Sequence, residues 1–317
     1  MPSQPTPTDV HVDAVLTNIS VAYRQRASQF IASRVFPIVP VQKQTDKYYI
    51  YTKADWFRDE AKVRGPATES EGSGYNVSTA SYSCDVFALH KDVPDQVRMN
   101  ADAPINPDRD ATEFVTGRLL LRMEKQWASD YFTTSVWDND VTPSNLWSAY
   151  TTSDPINDVE LGKETILTST GMMPNTLVLG YQTFRQLKHH PDIVDRFKYT
   201  SANVVTEQML AGIFGVDRVI VASSVNNTAV EGATASFSLV HGKHALLCYV
   251  NPSPSLLAPS AGYIFTWQGV SAGLGQDIGI SRMRMEYRKA DRVEGEIAFD
   301  DKVVSTDLGY FFNGAVA

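Results

Sequence analysis

Two short histidine clusters are the residues of this sequence best suited to chemistry. His189 and His190 are adjacent and Asp192 follows, a combination that could supply a general base to a hydrolase. His241 and His244 lie three positions apart, and imidazoles at such a spacing can bind a metal when further ligands join them. No cysteine or carboxylate lies near that pair in the sequence, so we expect both histidines to be surface turn residues.

The first histidine cluster also has a structural interpretation. His189 and His190 precede Pro191 at the predicted end of a helix, where such side chains can satisfy free carbonyl groups. We therefore expect a structural role for them. A hydrolase with an α/β lobe that uses His189, His190 and Asp192 is kept as an alternative function.

The remaining chemical motifs are missing from the sequence. It contains neither the phosphate-binding GxxxxGK[ST] pattern nor the GxSxG and HExxH patterns of hydrolases. The acidic residues near the C-terminus alternate along predicted strands, which indicates a solvated sheet face and not a carboxylate pair with a raised pKa. These residues are Asp291, Glu294, Glu296, Asp300 and Asp301. We predict no catalytic residue, no cofactor and no metal.

Composition narrows the class of protein. The chain has 317 residues, 43% of them hydrophobic, which supports a sizeable core and exceeds the usual size of a single one. A net charge of −8 argues against tight, general binding of nucleic acid, which needs clustered cations. Cys84 and Cys248 lie far apart in strand-like contexts and are expected to be reduced and buried. No apolar run reaches 18 residues, so we expect no membrane span.

Residues 46–100 predict a long hairpin arm. Tyr48–Thr52 is a β-prone run, and Tyr75–Leu89 returns as a second strand in period-2 alternation. The loop between them, Ala54–Ser73, is too long for a tight turn and too polar for a core. Because a two-stranded ribbon is marginal in water by itself, we expect the arm to lie against a neighbouring subunit.

The tip of the arm predicts a subunit interface. Trp56 and Phe57 are adjacent aromatic residues in a charged loop, a composition typical of interfaces. Two arginines of the helix that follows the arm share its exposed face. The residues predicted to contact a neighbouring subunit are Trp56, Phe57, Arg58, Asp59, Glu60, Lys62, Arg64, Arg118 and Arg122.

The clearest helix follows the arm and spans Asn106–Thr134. Asn106 is a good N-cap and Pro107 suits the first helical position. Apolar residues recur at helical spacing, and Arg118 and Arg122 fall on the opposite face. Before the arm, a short helix is predicted at Ala22–Ile31, followed by an extended segment with two prolines.

The middle third of the chain predicts alternating strands and helices, and the C-terminal section predicts strands alone. Asp154–Gly279 predicts an α/β lobe, with short strands and helices in turn. The C-terminal section predicts three strands with a turn at Asp300-Asp301. The three strands are Arg282–Tyr287, Arg292–Phe299 and Lys302–Ser305.

This order of parts resembles the major capsid proteins of tailed bacteriophages, whose fold is typified by phage HK97. Several short segments resemble a subgroup of these proteins: Ile19–Arg24, Phe36–Val41, Lys47–Tyr49 and Tyr82–Cys84. The resemblance implies an α+β, HK97-like capsid fold with an N-terminal arm, an extended hairpin loop, a long spine helix, and peripheral and axial lobes. Its implied boundaries are 1–45 for the N-terminal arm, 46–100 for the hairpin loop, 101–150 for the spine helix and peripheral lobe, 151–280 for the axial lobe, and 281–317 for the C-terminal strands of the peripheral lobe.

The resemblance also implies a function. It predicts a non-enzymatic subunit that binds copies of itself, as hexamers and pentamers, in an icosahedral shell around packaged DNA. DNA would be enclosed without sequence-specific binding, no membrane would be involved, and scaffolding, portal and decoration proteins would be partners. The protein would be part of the virion and assemble in the host cytoplasm. Besides the hydrolase, another oligomeric virion component, such as a decoration or tail protein, remains an alternative.

Overall fold

Two five-stranded sheets, a long helix and a two-stranded arm make up the fold. The computed structural model describes residues 25–101, 105–197, 205–254, 259–269 and 278–317. The α-helices in these ranges are α1 (Ala32–Val35), α2 (Lys53–Trp56), α3 (Asp95–Met99), α4 (Pro107–Tyr131), α5 (Pro155–Thr170), α6 (Tyr181–Leu187), α7 (Pro191–Phe197) and α8 (Glu207–Phe214). Short 3-10 turns lie at Ala27–Gln29, Glu286–Arg288 and Thr306–Leu308.

The strands pair into four sheets. They are β1 (Ile38–Val41), β2 (Thr45–Tyr51), β3 (Val77–Ser83), β4 (Asp85–Pro94), β5 (Asn139–Val141), β6 (Thr176–Gly180), β7 (Arg218–Ala222), β8 (Val225–Asn227), β9 (Phe237–Leu239), β10 (Ala245–Cys248), β11 (Gly262–Trp267), β12 (Gly279–Met285), β13 (Ala290–Val303) and β14 (Gly309–Phe312). The first five-stranded sheet has the order β1-β11-β13-β12, with β4 on the other edge of β13, and the second has the order β5-β14-β10-β6-β7. The pairs β2-β3 and β8-β9 stand apart as hairpins.

The predicted long helix is confirmed as α4. The Asn106 side chain accepts a hydrogen bond from the Arg109 amide at 3.2 Å, and Pro107 occupies the first turn. The apolar side of α4 packs against β13, where Gly295 permits a close approach. A Cβ atom at Gly295 would lie 2.5 Å from the Val115 side chain, so a larger residue there would push the helix away from the sheet.

The C-terminal strands differ from the prediction at one point. The turn expected at Asp300-Asp301 is wrong, because β13 continues through both residues to Val303. Asp300 pairs with Phe265 and Asp301 with Ile264 in the antiparallel ladder with β11. The neighbouring strand therefore overrides the local preference of consecutive aspartates for a turn.

The prediction that the second half of the hairpin is one continuous strand is also wrong. It divides at Cys84, whose amide donates to the Gln44 carbonyl at 2.9 Å while the Gln44 side chain donates back to the Cys84 carbonyl at 3.0 Å. After this point β4 leaves the hairpin and pairs with β13. The arm is therefore the β2-β3 hairpin, confirmed as a hairpin but shorter than expected.

The second five-stranded sheet forms the centre of the α/β part. Both β6 and β10 are buried along their whole length, and β7 runs parallel to β6. Strands and helices are mixed as predicted from α5 to β7, but from β8 to the start of β12 the described residues form strands and no α-helix. Cys84 and Cys248 are free and buried, as expected, and burial raises their pKa values to about 11 and about 12.

The segment before the arm is less helical than predicted. Within the described residues, a 3-10 turn at Ala27–Gln29 and the single turn α1 replace the expected helix Ala22–Ile31. The segment resembling capsid proteins at Ile19–Arg24 lies outside the described residues. Phe36 ends α1 in an extended conformation, since Pro37 follows and disfavours helix before it.

Candidate assembly surfaces

The hairpin arm ends in a small exposed aromatic cluster. β2 and β3 pair from Thr45 with Ser83 to Tyr51 with Val77. At the outer end of this ladder the rings of Tyr51, Trp56 and Tyr75 lie within 5.6–6.1 Å of one another, centroid to centroid. Trp56 remains 55% exposed, so the arm tip carries apolar surface that the rest of the chain does not cover.

The charged residues of the tip are largely paired inside their own loop. Arg58 binds Glu60 at 3.0 Å and Lys62 binds Glu71 at 3.0 Å. Arg64 donates to the Thr68 carbonyl at 2.5 Å, and Asp59 is exposed. Exposed ion pairs contribute little free energy, so they can be exchanged for contacts with another chain at small cost.

The base of the arm lies on its own subunit. The Tyr82 ring stacks on Phe265 with centroids 4.7 Å apart, and Tyr48 lies 5.6 Å from the same ring. Further out, Lys53 forms an ion pair with Asp307. The expectation that the whole ribbon lies on a sister molecule is therefore wrong for its base, and it stays a prediction for the tip.

An apolar cavity of about 620 Å³ separates the outer arm from the body. Tyr48, Ile50 and Trp56 line it from the arm, and Met172 and Tyr263 line it from the body. Phe57, 64% exposed, reaches across this gap: a Cβ atom at Gly171 would meet its ring at 3.1 Å. The outer arm thus touches the body at a few points and is not packed against it.

The two predicted arginines of α4 are exposed and lie over aromatic rings. The Arg118 guanidinium is 4.8 Å from the centre of the Phe114 ring, and that of Arg122 is 4.6 Å from the centre of Phe87. Among the described residues, no ion pair or hydrogen bond joins either arginine to the arm tip. One chain therefore does not bring the two halves of the predicted interface together.

Sequence reasoning missed a buried acid that connects three parts of the chain. Glu124 of α4 is completely buried, and its carboxylate accepts hydrogen bonds from the Ile31 and Ala32 amides at 2.9–3.0 Å. It also accepts one from the Ser224 hydroxyl at 3.2 Å, and His241 lies 3.5 Å away. Glu124 thus fastens the segment before the arm to α4 and to the α/β part.

Burial shifts the pKa values of several groups around α4. It raises the pKa of Glu124 to about 6, an effect that the backbone hydrogen bonds partly oppose. It raises the pKa of Asp301 to about 8, with Asp130 and Asp300 adding like charge. Both Asp301 oxygens are buried without a hydrogen-bond partner. The expectation that the acidic residues near the C-terminus have no raised pKa is therefore wrong for Asp301, and burial has the same effect on Glu124.

The prediction of a solvated sheet face is also wrong at Asp291. This residue is buried and bound by both Arg282 and Arg284, and Arg98 reaches it at 2.9 Å. These hydrogen bonds and charges lower its pKa to about 2. The alternation of charges along β12 and β13 was visible in the sequence, but their pairing across strands needed the register.

His190 occupies a buried position that is structural. The Asp192 amide donates to His190 Nδ1 at 3.3 Å, while the Asp192 carboxylate stays 3.6 Å from that nitrogen; with Nδ1 accepting from the amide, Nε2 carries the proton. Nε2 then donates to the Ser153 hydroxyl at 3.0 Å, which in turn donates to the Ala149 carbonyl at 2.9 Å. A general base must accept the proton of a serine hydroxyl, whereas His190 Nε2 donates its own proton to Ser153. This arrangement therefore does not favour the hydrolase alternative. His189 is exposed.

The second histidine pair is not a surface turn pair. His241 is buried and its pKa falls to about 3 because burial disfavours the imidazolium. His244 is partly buried, and its Nδ1 accepts a hydrogen bond from the Gly314 amide at 2.9 Å. Within the described ranges, no three His, Cys, Asp or Glu side chains converge as metal ligands, and no helix is both long and apolar enough for a bilayer.

The sequence resembles two phage proteins along nearly its entire length. It is 25% identical to the major capsid protein of Burkholderia phage BcepMu, over 96% of this chain and 96% of that protein. It is 26% identical to the major capsid protein of Pseudomonas phage JBD67, over 96% of this chain and 97% of that protein. No family model matches the sequence.

The fold also matches a solved capsid structure. The subunit of the cyanophage P-SCSP1u capsid aligns over 100% of both chains with a TM-score of 0.62, at 9% sequence identity. The expected α+β architecture is thus confirmed. The hairpin arm precedes the long helix α4, and the C-terminal strands β12 and β13 belong to the sheet on which α4 packs. The chain has the HK97-like capsid fold and is similar over nearly its whole length to major capsid proteins of phages.

Proposed function

We propose that this chain is a structural major capsid subunit of a tailed phage. It binds copies of itself, as hexamers and pentamers, and forms an icosahedral shell around packaged DNA. Scaffolding, portal and decoration proteins are its expected partners. The protein is located in the virion, which assembles in the host cytoplasm. The similarity to phage major capsid proteins supports this role, and it favours a protein that is not an enzyme.

The observation that carries the proposal is the uncovered aromatic tip of the arm. Trp56, Phe57 and Tyr75 are each more than half exposed at the end of a hairpin whose outer part touches the body at only a few points. Aromatic side chains are enriched at the centres of interfaces because they bury much apolar area in few torsions. We propose that the tip packs on a neighbouring copy, exchanging the ion pairs of its loop for contacts between chains.

The lobes follow from the same proposal. The sheet containing β13, together with α4, forms the peripheral lobe, and the sheet containing β6 and β10 forms the axial lobe around each hexamer or pentamer centre. Glu124 then lies where the N-terminal segment, the spine helix α4 and the axial lobe meet. Displacing one of these parts would disturb the hydrogen bonds of all three.

A double variant of the tip tests the proposal. We expect Trp56→Ser with Phe57→Ser to leave a folded, soluble subunit that forms no shells. The matched control, Phe237→Ser with Tyr287→Ser, removes two aromatic side chains of similar exposure elsewhere and should assemble like the parent. Particle mass by light scattering and negative-stain images give the result, and circular dichroism verifies folding.

Two outcomes would contradict the proposal. Closed particles formed by the tip variant would remove the assembly role of the arm. A parent protein that stays monomeric at every concentration and salt tested would contradict the shell function itself.

A further inference from the structure

We infer that the exposed face of the C-terminal half of α4 binds phosphate groups and faces the packaged DNA. This inference rests on the proposed function, because only a shell has an inner face toward DNA. The basic stripe consists of Arg118, Arg122 and Lys125 on α4, together with Lys91 on the adjacent strand β4. Arg118, Arg122 and Lys125 are exposed.

Aromatic rings hold three of these cations in place. Arg118 lies over Phe114 and Arg122 over Phe87, with the guanidinium carbon 4.8 and 4.6 Å from the ring centre. The Lys91 ammonium group lies 5.1 Å from the centre of the Phe114 ring. A guanidinium over a ring leaves its edge N–H groups open to a phosphate oxygen, although Nη2 of Arg122 already donates to the Gln126 amide oxygen at 2.8 Å.

The stripe keeps its positive charge in an acidic protein. The chain carries a net charge of −8, yet among the described residues no carboxylate lies within ion-pair distance of the four cations. Asp130 is close enough for Arg122 to lower its pKa, but burial raises that pKa more strongly and Gln126 donates to its carboxylate at 2.8 Å. The four charges are therefore available to an external anion.

The stripe ends at a cavity with a mixed polar and apolar lining. A cavity of about 270 Å³ lies beside Lys125 and is also lined by Ser129, Thr133, Asn226 and Ser238. Hydroxyl and amide groups commonly supplement Arg and Lys in contacts to phosphate oxygens. The cavity thus extends the stripe with neutral donors.

DNA fits this stripe better than the arm of a sister copy does. The arm tip carries Arg58, Lys62 and Arg64 among its carboxylates, so it would repel part of the stripe, whereas duplex DNA is anionic throughout. Duplex DNA carries one charge per ~1.7 Å of axis, and the ~10 Å between Arg118 and Lys125 along α4 spans about three phosphates of one strand. Contacts to phosphate carry no sequence information, which suits binding without sequence preference.

Salt-dependent binding of a short duplex tests the inference. The unassembled full-length chain, isolated by size exclusion, is titrated against a fluorescein-labelled 20-base-pair duplex at 50 and 200 mM NaCl. With four phosphate contacts, the affinity of the parent should fall about 150-fold over this range. The triple variant Arg118→Ser, Arg122→Ser, Lys125→Ser should bind more weakly and lose only about 3-fold.

The matched control, Arg185→Ser, Lys188→Ser, Lys243→Ser, removes the same charge from the α/β part and should behave like the parent. Equal affinity and salt dependence of parent and triple variant would overturn the inference, as would a control that weakens binding as much. Tighter binding of the parent to a polyglutamate peptide than to the duplex would also overturn it. A triple variant that binds DNA normally but forms no shells would assign the stripe to a subunit interface, leaving the proposed function intact.

Discussion

The aromatic residues of α4 and those of the arm tip have opposite surroundings. Trp127 and Tyr131 of α4 are fully buried, with the Phe36 ring 5.9 and 4.6 Å from their ring centres. Trp56 and Tyr75 of the tip form a comparable cluster, 5.6 Å apart, but more than half of each side chain is exposed. The first cluster stabilises the subunit, and the second is free to stabilise contacts between subunits.

The largest expected effect comes from a substitution in the buried aromatic cluster of α4. Trp127→Ala should lower the free energy of unfolding by about 3–5 kcal/mol, because it leaves a large cavity between α4 and its neighbours. Trp56→Ala should change the same quantity by less than about 1 kcal/mol, since its side chain is already largely hydrated. Urea unfolding of the unassembled chains measures both; equal losses would contradict the contrast.

A second substitution sharpens the role of the buried acid in the core. Glu124→Ala leaves the Ile31 and Ala32 amides and the Ser224 hydroxyl without their acceptor, and should cost about 2–4 kcal/mol of unfolding free energy. Hydrogen exchange should accelerate at residues 31 and 32 first. The exposed Glu164→Ala is the control and should change neither measurement.

The pH dependence of stability tests the buried Asp301. Its folded pKa of about 8 lies above the ordinary value near 4. Its stabilising contribution is therefore complete below pH 4 and is lost as the pH rises toward 8. Between pH 6 and 7 the free energy of unfolding should fall by about 1.4 kcal/mol from this group.

Asp301→Asn should remove this contribution to the slope and leave that of Glu124 and His241, because the amide matches the neutral acid in shape. Urea unfolding at pH 5.5, 6.5 and 7.5 gives the comparison between the two proteins. The same slope in both would show that Asp301 is not protonated in the folded subunit.

The smallest effect concerns the point where the arm meets the body. Lys53→Ala removes the ion pair with Asp307 and should cost no more than about 1 kcal/mol of stability, because the pair is partly exposed. Hydrogen exchange in β2 should accelerate while that in β13 stays unchanged. Acceleration in both strands would mean that the arm is part of the core.

The features foreseen from sequence are those fixed by local patterns. Asn106, Pro107 and the apolar spacing that follows were sufficient for α4, and the alternating runs were sufficient for the hairpin. The division at Cys84 and the continuation of β13 through Asp301 depend on which strand lies alongside. No local signal reports that neighbour, so both were predicted wrongly.

The candidate surfaces show the same limit. Trp56 and Phe57 are conspicuous in a charged loop, and the structure leaves both exposed, although their contact with another copy stays a prediction. Glu124 looked like one more polar residue of a long helix. Its partners at Ile31 and Ser224 are about a hundred positions away in the sequence, so only the fold could reveal them.

A density map of assembled particles tests the central claim most directly. The full-length chain, expressed alone or with its scaffolding partner, is imaged by electron cryomicroscopy, and the surroundings of Trp56 and Phe57 are read from the map. We predict that both side chains are buried against a different copy of the chain. A closed shell in which the tip stays in solvent or packs only on its own subunit would contradict that claim.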